Sequence, residues 1–349
     1  MKRSNLIRLL IIMAAILPLV ATVMVSGVGK EETALYKLNV PRGLDADYAK
    51  WIPADNQLTA AKIDLGKKLY FDPRLSADGT VSCASCHDPE KGFADDEPFS
   101  KGIKGQKGGR NAPTTLNRLH SAAQFWDGRA KSLEEQALGP VQNPVEMGNT
   151  VSSMIASVNK IAGYRPLFKA AFGSEEITSE RVAKAIAAFE RTLLSGNSPY
   201  DHFQAGEAEA LPEPARRGMV VFMGKGNCHE CHSLPNFTDE AYHNLGIGMD
   251  KPNPDLGRFN VTKNEKDKGA FKTPTLRQVT ETAPYLHDGS VKTLEEVVEL
   301  YNKGGVPNPY LDEKMKPLGL TAEEQADLVA FLKSLSGEVP QIEPPALPD

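Results

Sequence analysis

Cys83-Ala84-Ser85-Cys86-His87 is the stretch on which the reading of this chain turns. Two cysteines three apart, followed at once by a histidine, have the attachment spacing of haem c: both thiols add to the haem vinyl groups and the histidine becomes an axial iron ligand. The pattern returns as Cys228-His229-Glu230-Cys231-His232, and the two copies use all four cysteines of the 349-residue chain. A zinc ribbon wants its cysteine pairs roughly 15–20 residues apart, far closer than these, and has no use for a histidine after each pair. A thioredoxin-like dithiol needs a βαβ context that neither copy has. The sequence therefore implies two covalent haems, held by Cys83, Cys86 and His87 and by Cys228, Cys231 and His232.

Outward from the motifs, the composition is ordinarily globular, with 40% hydrophobic and 24% charged residues. A formal charge of −5 argues against a nucleic-acid partner and does not suggest a polybasic membrane-binding surface. Lys2, Arg3 and Arg8 precede an apolar run from Leu9 to Val25, so residues 1–29 read as an export signal. The run is long for a signal peptide and lacks a clean A-x-A site, which leaves an uncleaved inner-membrane anchor as the alternative. In both cases the body lies in the periplasm, where c-type haem is attached.

The remainder reads as mainly α. Ala60 to Tyr70 has helical spacing and stops at Asp72-Pro73. Capping boxes are expected at Ser132/Glu135, Thr293/Glu296 and Thr321/Glu324. Thr178 opens a helix running through Leu193 and closing at Gly196. Lys101 to Arg110 is a Gly/Lys loop, solvated or a docking patch for an acidic partner. A short polar segment from Gly206 places the domain boundary, giving domains 30–205 and 206–336. Residues 250–270 form a Gly/Pro/Lys/Asn-rich connection, and the four-proline tail 337–349 reads as disordered.

An internal duplication links the halves. Pro113-Thr114, Trp126-Asp127-Gly128 and Lys131-Ser132-Leu133-Glu134-Glu135 recur 161 residues on as Pro274-Thr275, His287-Asp288-Gly289 and Lys292-Thr293-Leu294-Glu295-Glu296. At the same offset, Tyr301 answers Pro140. A phenolate can ligate ferric iron and a proline cannot. If these positions face their haems, the second iron is closed by His232 and Tyr301 while the first, on His87, keeps an open site. The competing reading of Tyr301 is a core aromatic on an apolar stripe. An open haem suits peroxide, whose cleavage needs a group that moves a proton between the two oxygens. Glu146 lies just beyond Pro140 on a loop, where a glutamate is otherwise solvated.

At this point the residues resemble the bacterial dihaem cytochrome c peroxidases, including the MauG-type, tyrosine-ligated branch that matures tryptophylquinone. The resemblance rests on Phe71-Asp72-Pro73-Arg74-Leu75-Ser76, Arg110-Asn111-Ala112-Pro113-Thr114, Gln124-Phe125-Trp126-Asp127-Gly128-Arg129, Pro144-Val145-Glu146-Met147, Thr282-Ala283-Pro284-Tyr285-Leu286-His287 and both haem motifs. It implies two cytochrome c-like haem domains and reduction of hydrogen peroxide to water. By this resemblance the first haem is peroxidatic, Glu146 is its acid/base with Gln136 and Pro140 in the same pocket, and Trp126 conducts electrons between the haems. The second haem takes electrons from a small periplasmic donor, a cytochrome c or a cupredoxin. A calcium ion is expected on the Asn111 side chain and the Thr282 and Pro284 carbonyls, and a homodimer is compatible with the family.

Two departures matter. Tyr301 stands where ordinary members carry a methionine ligand, with Met315 as rival, and a tyrosinate should lower the potential of that haem. The histidine that blocks the first haem of ordinary members is missing, and Ile103 stands about where it should be. The resemblance thus also admits an enzyme that oxidises a protein side chain through the second haem. The surface tryptophan of that branch is absent: only Trp51 and Trp126 occur, and Gly224-Lys225-Gly226-Asn227 fills its stretch. A third reading is a dihaem electron carrier, which would want both irons six-coordinate. His120, His202, His229 and His243 read as structural or surface residues and His287 as a hydrogen-bonding neighbour of a haem. Arg277 suits a propionate or a surface ion pair.

Overall fold

The computed structural model describes residues 34–349, so the proposed export segment lies outside the described residues. The first half carries α1 (Ala60–Phe71), α2 (Leu133–Ala137), α3 (Gly139–Gln142), α4 (Val151–Asn159), α5 (Tyr164–Phe172) and α6 (Ser179–Glu190). After α7 (Pro199–Gln204), the second half carries α8 (Glu213–Met223), α9 (Phe259–Thr262), α10 (Leu294–Asn302) and α11 (Ala322–Lys333). The described strands are β1 (Tyr242–His243) and β2 (Phe271–Lys272), paired antiparallel. No described helix is long and apolar enough to cross a membrane.

Each half is built on one helix crossing. In the first, Leu65 and Leu69 of α1 pack on Val182, Ile186 and Phe189 of α6. In the second, Val221 and Phe222 of α8 pack on Leu328, Phe331 and Leu332 of α11, with Phe237 and Tyr200 closing an aromatic cluster. Both crossings depend on a glycine. A methyl at Gly66 would collide with the Ala185 carbonyl oxygen and the Phe189 Cβ; one at Gly218 would collide with the Asp327 carbonyl oxygen and the Phe331 Cβ. Backbone against backbone leaves nothing flexible to yield. Gly218→Ala should therefore destabilise by about 1–3 kcal/mol, read from urea midpoints. An unchanged midpoint would mean that the helices can separate without loss.

The duplication is visible in the backbone. Bridges Gln124↔Ala130 and Tyr285↔Val291 enclose matching turns, with φ of 68° at Phe125 and 71° at Leu286. Asn117 and Gln278 share φ of 58°. The halves diverge at the helix after these turns. Its second copy, α10, runs unbroken through Tyr301; the first copy breaks at Leu138 into α2 and α3. Pro140 is the reason, because it has no N–H to give the Gln136 carbonyl.

Several sequence expectations need correction. Thr293/Glu296 and Thr321/Glu324 form full capping boxes. Ser132 caps the Glu135 N–H, but the Glu135 carboxylate accepts from the Lys131 N–H instead of closing the box. The helix after Thr178 ends at Glu190, not near Gly196. The 250–270 connection is anchored: Asp255 takes a bidentate grip from Arg110 (2.6 and 2.9 Å), and Arg258 donates to the Asp127 carbonyl. The tail is ordered as well. Glu338 donates to Gly196, Val339 and Ile342 pack on the first core, Arg74 donates to the Pro348 carbonyl (2.9 Å) and Gly163 to that of Asp349 (2.8 Å). Prolines cannot donate, but they leave an extended chain whose carbonyls can accept from the body.

Candidate functional site

A cavity of about 670 Å³ is lined by Cys83, Cys86, His87, Cys228, Cys231, His232 and Tyr301 together, with Trp126 in its wall. The two motifs, far apart in sequence, thus open into one space. None of the four cysteines is in a disulfide. Burial pushes the Cys83, Cys86 and Cys228 thiols up, Cys86 to about 11 and Cys228 to about 12. Each motif begins with a short 3₁₀ turn, and the histidine N–H then bonds back to the first cysteine carbonyl (3.0 Å at His87, 2.9 Å at His232). Each ring is held by a backbone carbonyl a few residues on. Nδ1 of His87 meets the Phe93 oxygen at 3.3 Å, and Nδ1 of His232 meets that of Phe237 at 3.0 Å. A proton fixed on Nδ1 leaves Nε2 free for a metal, the arrangement that orients ligating histidines. Burial favours the neutral ring, and His232 is pushed down to about 4.

Beyond His87, the cavity wall includes Gln136, Pro140, Asn143 and Glu146. Glu146 is positioned by its own loop: Asn143 donates its side-chain N–H to Oε1 at 2.7 Å, and Ile103 donates its N–H to the Glu146 carbonyl at 2.8 Å. Burial pushes its carboxyl above the ordinary glutamate value, against the opposing Arg129 charge and the Asn143 hydrogen bond. Arg129 itself lies over the Phe125 ring at 3.5 Å. The Lys101–Arg110 loop is not simply solvated, because the Ile103 side chain is buried in the first core and is not part of the cavity wall.

On the other side, Tyr301 is pushed up by burial and by the neighbouring Cys228 and Cys231 sulfurs, and its hydroxyl has no hydrogen-bond partner among the described residues. Its proton would leave only in exchange for a metal. Met315 also lines the cavity, its methyl against Gly305. Asn111 joins the two halves. Its N–H donates to the His287 carbonyl (2.8 Å), its carbonyl accepts from the Trp126 indole (2.9 Å) and its amide donates to Glu97 (2.9 Å). Its Oδ1, like the Thr282 and Pro284 carbonyls, accepts no hydrogen bond among the described residues.

Two cations test whether this cavity suits a haem. Arg118 lines it yet bonds only neutral oxygens, those of Gln124 (2.8 Å) and Ala123 (2.9 Å). Lys272 lines it almost fully buried, with Glu240 at 3.2 Å. Surplus buried positive charge beside apolar walls fits a group that carries carboxylates. Sequence reasoning missed both: the repeat counterpart of Arg118 is Val279, so duplication gave no hint. Arg277, in contrast, neither faces a haem nor lies at the surface. It is 1% exposed and pairs with Asp201. His243 is clamped between Asp312 (2.6 Å) and Asp239 (2.9 Å). Cys231, Asp239 and His243 form a cluster of three metal donors, but a Cys231 thioether would carry no charge to offer. His287 lines the cavity and stacks on Phe271 with ring centroids 3.5 Å apart.

Twin motifs, duplicated helical halves and one shared cavity define a dihaem c-type protein. Residues 60–209 match the family described as di-haem cytochrome c peroxidase. The chain is 39% identical over 301 residues to the methylamine utilization protein MauG of Methylophilus methylotrophus, covering 85% of this chain and 89% of that one. It is 42% identical over 287 residues to the cytochrome c551 peroxidase of Nitrosomonas europaea, covering 82% and 83%. A solved MauG-like protein associated with microbial copper homeostasis matches with a TM-score of 0.76 and 36% identity, over 87% of this chain and 95% of that one. The chain belongs to the di-haem cytochrome c peroxidase family: it is an oxidoreductase acting on peroxide and carries haem c.

Proposed function

We propose that peroxide is reduced at the haem held by Cys83, Cys86 and His87, and that the haem held by Cys228, Cys231, His232 and Tyr301 relays electrons to it. The observation that carries this reading is the Pro140/Tyr301 difference within one duplicated helix. Ile103 points into the core, so the loop that could supply a blocking ligand supplies none. Haem iron, when bound, supplies the electrons for splitting the O–O bond. Glu146 does the proton work: Oε1 is held by Asn143, which leaves Oε2 to take the proton from one peroxide oxygen and return it to the other, so that the second leaves as water. Its raised pKa suits that two-way task. Gln136 lines the same pocket and orients the substrate. Trp126, its indole fixed by Asn111, lies in the wall shared by both sites.

Calcium is proposed on Asn111 Oδ1 and the Thr282 and Pro284 carbonyls, three oxygens free to accept a hard cation. The electron donor is proposed to be a small periplasmic protein, a cytochrome c or a cupredoxin, with this chain in the same compartment. The second reading, oxidation of a protein side chain, is favoured by the Tyr301 position beside Cys228 and Cys231; the relative named MauG is compatible with either.

The test is low-temperature EPR of the fully oxidised protein. One high-spin and one low-spin ferric signal are expected, with the high-spin signal consumed by one equivalent of peroxide. Two low-spin signals would place a ligand on both irons and leave no peroxide site.

A further inference from the structure

Glu190 ends α6 and is 4% exposed. It lines the cavity beside the first motif, one helical turn after Ile186, which lines it too. Its carboxyl has no hydrogen-bond partner among the described residues, and Oε2 is fully enclosed. The groups facing it come from four directions: Tyr70 of α1 and the Cys83 sulfur, Arg118, Glu134 of α2, and Arg191 just past its own helix. None satisfies it. Arg191 is spent on a bidentate pair with Glu134 (2.7 and 3.0 Å), Arg118 bonds Gln124 and Ala123, and the Tyr70 hydroxyl donates to the His87 carbonyl (3.1 Å). An unpaired buried carboxyl is costly where an apolar side chain would pack without penalty. On its own the carboxyl meets the cost by keeping its proton, since burial, against the Arg191 and Arg118 charges, pushes it up to about 8. The negative end of the α6 dipole acts in the same direction. The added positive charge of a ferric haem would favour the carboxylate.

We propose that Glu190 is the proton-bearing partner of the first haem, taking up one proton from solvent when that iron gains an electron from the donor and releasing it when the iron is oxidised. The inference rests on the His87 haem assignment above. The balance is simple: one electron arrives on ferric iron, one proton arrives on the Glu190 carboxylate, and the buried charge of the pair is unchanged. Coulomb coupling across a dry wall makes the two events favour each other, and the coupling is reciprocal. Reduction that takes up a proton becomes harder as pH rises. The midpoint potential of this haem should therefore fall with pH, approaching a tenfold change in equilibrium constant per pH unit, about 59 mV for one electron.

The experiment is a spectropotentiometric titration of the holoprotein from mildly acidic to mildly alkaline pH, with Glu190→Gln alongside. The amide keeps the shape but exchanges no proton, so the slope should flatten and a pH-indicator dye should register about one proton fewer per high-spin haem reduced. Glu180, an exposed carboxylate on the first turn of α6 outside the cavity wall, gives the control: Glu180→Gln should keep the slope. A Glu190→Gln variant with the wild-type slope and proton count, or a Glu180→Gln variant that loses both, would overturn the assignment. A protein with no high-spin haem would overturn the site reading instead, so the two failures are distinguishable.

Discussion

Glu146→Gln should lower kcat/KM for peroxide by 10²–10⁴-fold, about 3–5 kcal/mol in the barrier, while both haem spectra stay as in the wild type. Glutamine fills the same space and can still accept from the Asn143 amide that holds Oε1, so the loop should stand. What disappears is the basic oxygen. The pH dependence gives a second readout. Glu146 must be ionised to accept a proton, so kcat/KM in the wild type falls as pH drops through its pKa. That acid limb should lie above the ordinary glutamate value of 4.5, since burial outweighs Arg129 and Asn143. The variant should show no such limb. Peroxide turnover within threefold of wild type would remove Glu146 from the mechanism.

The second large effect concerns Arg277. Its guanidinium makes two bonds to Asp201 (2.8 and 3.0 Å) and reaches the Gly43 and Pro235 carbonyls, so it joins α7, the N-terminal segment and the loop after the second motif. Arg277→Leu strands the Asp201 carboxylate, with Ser198 as its other partner, and should cost about 3–5 kcal/mol. Arg277→Leu with Asp201→Leu should recover much of that loss, because no buried charge is left unpaired. Burial raises the Asp201 pKa, but the Arg277 hydrogen bonds and charge outweigh it and hold the carboxyl below 3.8. A folded-state pKa below the unfolded one stabilises at every pH above 3.8, and the gain fades as pH falls through the folded value. Thermal unfolding at neutral pH measures the first effect, and acid titration of the double variant, which should have lost this sensitivity, measures the second.

How legible was all this in the sequence? Local, repeated patterns were readable: two CxxCH stretches, a 161-residue echo and a proline facing a tyrosine in the same helical register. The backbone bears out that echo down to the φ angles of Phe125 and Leu286. Pairings between distant residues were not readable. Arg110 with Asp255, Arg191 with Glu134 and Arg277 with Asp201 are all non-local, and a charged residue in a sequence does not announce its partner. Gly66 and Gly218 were invisible for a related reason, since a glycine inside a helix signals close approach only once the other helix is known. Arg118, Lys272 and Glu190 sit in ordinary-looking contexts, and only the cavity wall shows their common direction. The tail misled through composition, because proline content was read as disorder when it also describes a strap.

That strap has a consequence for assembly. The Asp72–Tyr164 corner lies far upstream of Pro348 in sequence, yet Arg74, bonded to Asp72, also holds the Pro348 carbonyl. The first half therefore receives a clasp from a segment that follows the whole second half in sequence, so its full rigidity waits on residues made after both haem motifs.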